Sequence, residues 1–206
     1  MVRGVLFDMD GTLVDVPYDW PAIRADLGAF DVPILAHLGG LPEPERSIKW
    51  ALLERYEAVA TGRARLRRGV RPLLKRLAGR SVRTALVTNN SRKNTRVLLD
   101  RFRLRFDLVM TRDDGLWKPS GAPLVAAMTR LGLGPGECLA VGDSHFDVRS
   151  AREAGISAIF ILGRDARKFP GSDITVLASV PALDRALARI LGDGAGSQQP
   201  IPTGAG

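Results

Sequence analysis

Only one of the 206 residues is a cysteine, Cys138. A lone thiol closes no internal disulfide and has no metal-ligand spacing. Its place in the short apolar run of residues 138–141 assigns it to packing. No apolar run comes near the ~20 residues that span a bilayer. Asp8 and Asp10 interrupt the first apolar stretch, so it has no secretion-signal pattern. The expectation is a soluble, cytoplasmic protein with no membrane partner. Aromatic residues are scarce, at 6%. None alternates with the arginines concentrated in residues 63–83 and 92–105, so these stretches lack the stacking platform of a single-strand binder. The formal charge of +8 is read as a solvated basic face that can draw small anions, and nucleic acid is not an expected partner.

What is present suffices for a core. Hydrophobic residues make up 45%, and the length suits one large domain or one domain with a small insert. Residues 2–7 read as a buried strand. Asp19 followed by Pro21 reads as a helix start, with Trp20, Ile23 and Leu27 as its apolar stripe. Gly39, Gly40 and Pro42 break the chain. A second helix is expected over residues 44–60, with Ile48, Ala51, Leu52, Tyr56 and Val59 on one face. Residues 15–69 thus read as helical and without a strand. From residue 70 the rhythm alternates. Helices are expected at 71–78, 92–102, 122–131, 147–154 and 181–191, and strands at 83–88, 107–110, 138–141, 157–161 and 174–177. Such alternation predicts an α/β fold, a Rossmann-like parallel sheet flanked by helices. The expected division is an α/β core of residues 1–14 and 70–191, a small helical cap of residues 15–69 inserted after the first strand, and a disordered tail of residues 192–206. The insert would sit above the carboxyl edge of the sheet, where open α/β sheets bind ligands.

The first strand ends in VLFDMDGT. Asp8 and Asp10, two apart on an extended strand, point the same way. They repel unless a cation lies between them. Other strand ends bring Thr88-Asn89-Asn90, then Lys118, then Asp143 and Asp147. In a parallel sheet these ends share one edge. Carboxylates gathered round a hard divalent cation make a magnesium site, and Lys118 with the Thr88 hydroxyl can hold an anion facing it. That is what phosphoryl transfer needs: charge neutralisation, positioning and an oxygen nucleophile. Each residue alone has a plainer reading. Asp10-Gly11 suits a turn, Thr88 and Asp147 suit helix caps, and Lys118 suits the surface. Their convergence on one edge favours the functional reading. His37 and His145 receive no role.

The stretches FDMDGT, LVTNNS, WKPS and VGDSHFD resemble, in that order, the four motifs of the haloacid dehalogenase superfamily of aspartate-nucleophile hydrolases. The resemblance runs from residue 5 to about residue 162 and implies a HAD-like fold. It implies that Asp8 is the nucleophile forming an aspartyl-phosphate, and that Asp10 protonates the leaving oxygen and then activates water. Mg²⁺ would be held by the Asp8 carboxylate, the Asp10 main-chain carbonyl and Asp143, with Asp147 orienting metal-bound water or Lys118. Thr88, Lys118 and the Asn89 main-chain N–H would bind phosphate oxygens. An aspartate at position 10 is what the dehalogenase and phosphonatase branches lack, so the implied substrate is a phosphate ester. The implied activity is a Mg²⁺-dependent phosphatase acting on a small phosphorylated metabolite, phosphoglycolate-like or a sugar phosphate. A phosphomutase and a non-catalytic phospho-ligand sensor are the alternatives. The insert resembles the helical cap of the phosphoglycolate phosphatase-like branch, in a short form. Trp20, Arg24, Arg46, Lys49 and Trp50 are the candidates to read the substrate, with the tryptophans also suited to cap core. Oligomeric state leaves no mark in this sequence.

Overall fold

The computed structural model describes residues 1–30 and 32–192. The chain begins with β1 (Gly4–Phe7), β2 (Val14–Asp15) and three helices, α1 (Trp20–Leu27), α2 (Ile34–Gly40) and α3 (Glu45–Arg63). After β3 (Arg65–Leu66) come α4 (Val70–Gly79), β4 (Arg83–Val87), α5 (Arg92–Phe102) and β5 (Leu108–Met110). The remainder is α6 (Ala122–Leu131), β6 (Cys138–Gly142), α7 (His145–Glu153), β7 (Ile159–Leu162), β8 (Ile174–Leu177) and α8 (Val180–Ile190).

Six strands form one parallel sheet in the order β5-β4-β1-β6-β7-β8. Alternate side chains of a strand face opposite ways, and here both faces are covered. Val5 and Phe7 of β1 pack with Leu73 and Leu77 of α4, Leu98 of α5, and Leu183 and Leu187 of α8. Leu6 points to the other face, with Leu124 and Met128 of α6 and Val148 and Ala151 of α7. Two-sided burial is why β1 and β6 are uniformly apolar runs, and all of their residues are buried. Cys138 lies inside β6, where burial pushes its thiol up to about 11. The chain steps outward from β1 through β4 to β5, then returns to β6 on the other side of β1. The winding therefore reverses between β1 and β6, the place where a doubly wound sheet opens a crevice.

The helices α1–α3 have an apolar cluster of their own, which includes Ile23, Leu27, Ile34, Leu35, Leu38 and Leu53. Asp19 caps α1 as expected, accepting from the Ala22 N–H at 3.1 Å. Three expectations for this segment fail. It is not free of strands: β2 and β3 pair antiparallel, Val14 opposite Leu66 and Asp15 opposite Arg65, and draw its two ends together. Two-residue strands are too short to show alternation. The helix α2 has no counterpart among the expected helices, because seven residues show little period and its last two are the glycines expected to break the chain. The buried face of α3 is Leu53, Glu57, Ala60 and Thr61, whereas Ile48 and Val59 of the expected stripe are 63% and 59% exposed. A hydrophobic pattern passes over Glu57, which is buried by an ion pair described below.

Elsewhere the corrections are at boundaries. The helix α7 starts at His145, with Ser144 as N-cap and Asp147 one turn in, and β7 starts at Ile159. The disorder expected of the tail concerns residues that, from 193 on, lie outside the described residues. Among the described residues no helix is long and apolar enough to cross a membrane.

Candidate active site

The Asp8 N–H still belongs to the sheet, donating to the Val141 carbonyl at 2.8 Å. Beyond it the chain turns through Gly11 at φ +80°. A Cβ there would lie 1.9 Å from Asp143 Oδ2, so glycine answers both the backbone hand and the space. The neighbouring strand β6 ends in Gly142, where a Cβ would meet Asp147 Cβ at 2.3 Å. These close approaches bring Asp8, Asp143 and Asp147 together, each offering an oxygen within 4.8 Å of the others.

Lys118 is buried among them. Its Nζ donates to Asp8 Oδ1 at 2.5 Å and to Asp147 Oδ1 at 2.6 Å. The other Asp147 oxygen accepts from the Ser144 hydroxyl at 2.6 Å and the Ser144 N–H at 3.1 Å. Asp147 thus ties the start of α7 to the lysine. The Thr12 hydroxyl donates to Asp8 Oδ2 at 3.2 Å. Asn89 clamps the Lys118 backbone from both sides, its Nδ2 donating to the Lys118 carbonyl and its Oδ1 accepting from the Lys118 N–H, each at 2.8 Å. Thr88 is buried at the end of β4, and its hydroxyl accepts from the Asn90 N–H at 3.1 Å. It does not cap α5, a task that falls to Ser91.

Asp10 has a different setting. Its Oδ2 accepts from Asn90 Nδ2 at 2.9 Å, and the same amide reaches the Tyr18 hydroxyl at 3.0 Å. Its Oδ1 is buried with no hydrogen-bond partner among the described residues, which is costly for a bare carboxylate oxygen.

Charge follows from this packing. Burial pushes Asp8 up to about 6 against the pull of Lys118. Burial and the Asp8 charge push Asp10 up to about 7. Burial, then Asp8 and Asp147, push Asp143 up to about 8. Burial also works to raise Asp147, but Lys118 and Ser144 hold it below the usual carboxylate range. Burial works to lower Lys118, and Asp147 and Asp8 hold it above the usual ammonium range. The cluster is all oxygen and carries three carboxylates against one ammonium. That composition suits a hard divalent cation such as Mg²⁺.

All seven residues singled out from the motifs, Asp8, Asp10, Thr88, Asn89, Lys118, Asp143 and Asp147, line one cavity of about 600 Å³. Of the five candidates to read a substrate, Trp20 and Arg24 line it too. Arg46 pairs with Glu43 at 2.8 Å, and Lys49 Nζ donates to the Asp26 carbonyl at 2.6 Å. His145 packs on the Phe169 ring, centroids 4.7 Å apart, and His37 Nε2 lies 3.1 Å from the Leu27 carbonyl. A pair outside the sequence-predicted site is formed by Glu57 of α3 and Arg112 in the turn after β5. Both are buried, with Nη2 donating to Oε2 at 2.9 Å beside a second contact from Nη1. The Trp50 ring lies 5.2 Å from the guanidinium carbon. Arg112 also donates its N–H to the Asn90 carbonyl at 3.2 Å. Glu57 stands four residues after the buried Leu53, and that register is the one signal that could have flagged it.

A doubly wound sheet whose central strands end in acids around one lysine marks a class of enzymes that act on anionic, oxygen-rich groups. Comparison with known proteins narrows the class. Residues 29–155 match the haloacid dehalogenase-like hydrolases, and the chain belongs to that family. It is 30% identical over 168 residues to an uncharacterised hydrolase of Saccharomyces cerevisiae, covering 78% of this chain and 77% of the relative. It is 31% identical over 205 residues to a phosphoglycolate phosphatase of Chromobacterium violaceum, covering 85% of this chain and 92% of the relative. Among solved structures it resembles a variant of CbbY from Rhodobacter sphaeroides in complex with xylulose 1,5-bisphosphate, with a TM-score of 0.66 and 25% identity over 87% of this chain and 95% of the other.

Proposed function

We propose that the chain is a phosphatase that hydrolyses a phosphate monoester of a small organic molecule through a phosphorylated Asp8. The contrast between two neighbouring aspartates carries this reading. Asp8 contacts the ammonium of Lys118, which favours its ionised, nucleophilic form. Asp10 contacts no cation and has a buried, unpartnered oxygen, and burial and the Asp8 charge favour its protonated form, the condition of a group that carries a proton to a leaving alkoxide. The similarity to a phosphoglycolate phosphatase and to a protein bound to a sugar bisphosphate supports it.

In this mechanism Lys118, the Thr88 hydroxyl and the Asn89 N–H hold the phosphoryl oxygens. An Asp8 oxygen attacks phosphorus as the bond to the leaving oxygen breaks, and Asp10 gives its proton to that oxygen. Asp10, now a carboxylate, takes a proton from water, whose oxygen attacks phosphorus and frees Asp8. The carboxylates of Asp8 and Asp143 and the Asp10 main-chain carbonyl would hold Mg²⁺, which neutralises phosphoryl charge when bound. Asp147, committed to Ser144 and Lys118, keeps the lysine in place. Residues 15–69 act as a cap over a core of residues 1–14 and 70–191, keeping stray water from the phosphorylated aspartate.

The test is phosphate release from p-nitrophenyl phosphate, phosphoglycolate, sugar phosphates and pyrophosphate, with Mg²⁺ and with EDTA. Metal-dependent release that vanishes in Asp8→Asn is the expected result. Undiminished release by Asp8→Asn would overturn the covalent route.

A further inference from the structure

The cavity above Asp8 is lined by two unlike sets of side chains. One set is the carboxylates, the lysine and the amides. The other is Val16, Trp20, Ile34, Leu35, Leu53 and Phe146. Ile34, Leu35 and Leu53 belong to the apolar cluster of α1–α3, so that cluster opens onto the cavity and is not sealed beneath it. Trp20 and Phe146 are 47% and 36% exposed. Trp20 lies against Tyr18, ring centroids 4.6 Å apart, and the Tyr18 hydroxyl accepts from the amide that also holds Asp10. A pair of aromatic rings is therefore joined to Asp10 through the Asn90 amide.

Two charged groups, Glu57 and Arg24, also line the cavity. Glu57 is paired with Arg112. Arg24 turns Nη1 to the main-chain carbonyls of Ala29 and Val32, at 2.7 and 3.0 Å. The volume, about 600 Å³, falls in the range of about 300–1,000 Å³ that encloses substantial organic molecules. A phosphorylated two-carbon acid would leave most of it unfilled.

We propose that the site takes phosphate monoesters whose alcohol portion is bulky and apolar, in preference to phosphoglycolate or a sugar phosphate. Val16, Trp20, Ile34, Leu35, Leu53 and Phe146 bury the organic part, while Lys118 and its neighbours hold the phosphate. This inference rests on the phosphatase reading for the headgroup alone.

The experiment is a homologous series of n-alkyl phosphates, ethyl to hexyl. Their alcohols are nearly equal in acidity, so chain length reports burial and not leaving-group chemistry. The expected result is a kcat/KM that climbs roughly two- to fourfold per methylene, the factor for burying one CH₂. Trp20→Ser and Phe146→Ser, at exposed positions, should each flatten that gradient. A series of n-alkylphosphonates, which have no ester bond to cleave, is bound calorimetrically in parallel. Affinity that rises with chain length supports the apolar lining even if no ester is hydrolysed, a combination that would overturn the phosphatase reading alone. Phosphonate affinity that is flat with chain length, or a higher kcat/KM for phosphoglycolate than for hexyl phosphate, overturns the proposal.

Discussion

Gly11 shows how tightly single residues are specified here. Gly11→Ala forces a side chain onto a backbone at φ +80° and into Asp143 Oδ2. We expect the Mg²⁺ concentration for half-maximal activity to rise roughly 10- to 100-fold, as when a group orienting a metal ligand is lost; a Mg²⁺ titration of phosphate release reads this directly. Asp10→Asn removes the proton carrier and should lower kcat by roughly 10²–10⁴-fold, with circular dichroism unchanged. The convergence of Asp8, Asp10, Lys118 and Asp143 was readable because each stands in a short local pattern at a strand end or in the loop that follows one. The contacts of Asn90 with Asp10 and Tyr18 were not. The Asn90 amide reaches Asp10 and Tyr18, 80 and 72 positions away in sequence, and no local pattern encodes such a meeting. Asn89 was read for its N–H, while its side chain holds the Lys118 loop.

Among the elements, α3 is the one whose sequence misled most. Periodicity marks apolar residues, yet this helix is fastened to the sheet side by a carboxylate. Breaking a buried pair leaves an uncompensated charge, so Arg112→Met should lower the unfolding free energy by about 3–5 kcal/mol. Joining it with Glu57→Leu should restore most of the loss, because two apolar groups in place of a buried pair are often neutral or better. Denaturant unfolding of the single and double variants tests this. Elements with strong local signals were readable almost to the residue. The expected limits of α5, residues 92–102, match the structure, although its N-cap is Ser91 and not Thr88, and α6 begins with a proline in its first turn and ends at a left-handed glycine. The paired strands β2 and β3 have two residues each and exist only because the segment they bracket folds between them.

Over the whole molecule the gathered acids set a pH dependence. Asp8, Asp10 and Asp143 stand at about 6, 7 and 8, against 3.8 for an unperturbed aspartate. The folded protein binds these protons more tightly than the unfolded chain does. Their contribution is therefore full below 3.8 and is lost as pH rises through about 6 to 8. Asp147, held low, works the other way, its share being lost only as pH falls below the usual carboxylate range. The metal-free protein should show a falling Tm between about pH 5 and pH 8, and added Mg²⁺ should raise Tm more at the alkaline end; thermal melts with and without EDTA decide it. A Mg²⁺ effect equal across that window would contradict the cation's place among the carboxylates. The order of the sheet has another bearing, on how the chain comes to be folded. The strand β1, which precedes the other five of this sheet in the chain, is the one that ends up in the middle, with Gly4 opposite both Arg83 and Cys138. During synthesis its apolar GVLF waits for one neighbour, then, more than fifty residues later, for the other. Until β6 emerges, one edge of the central strand stays open, so the nascent chain is most prone to wrong strand pairing before its second half exists.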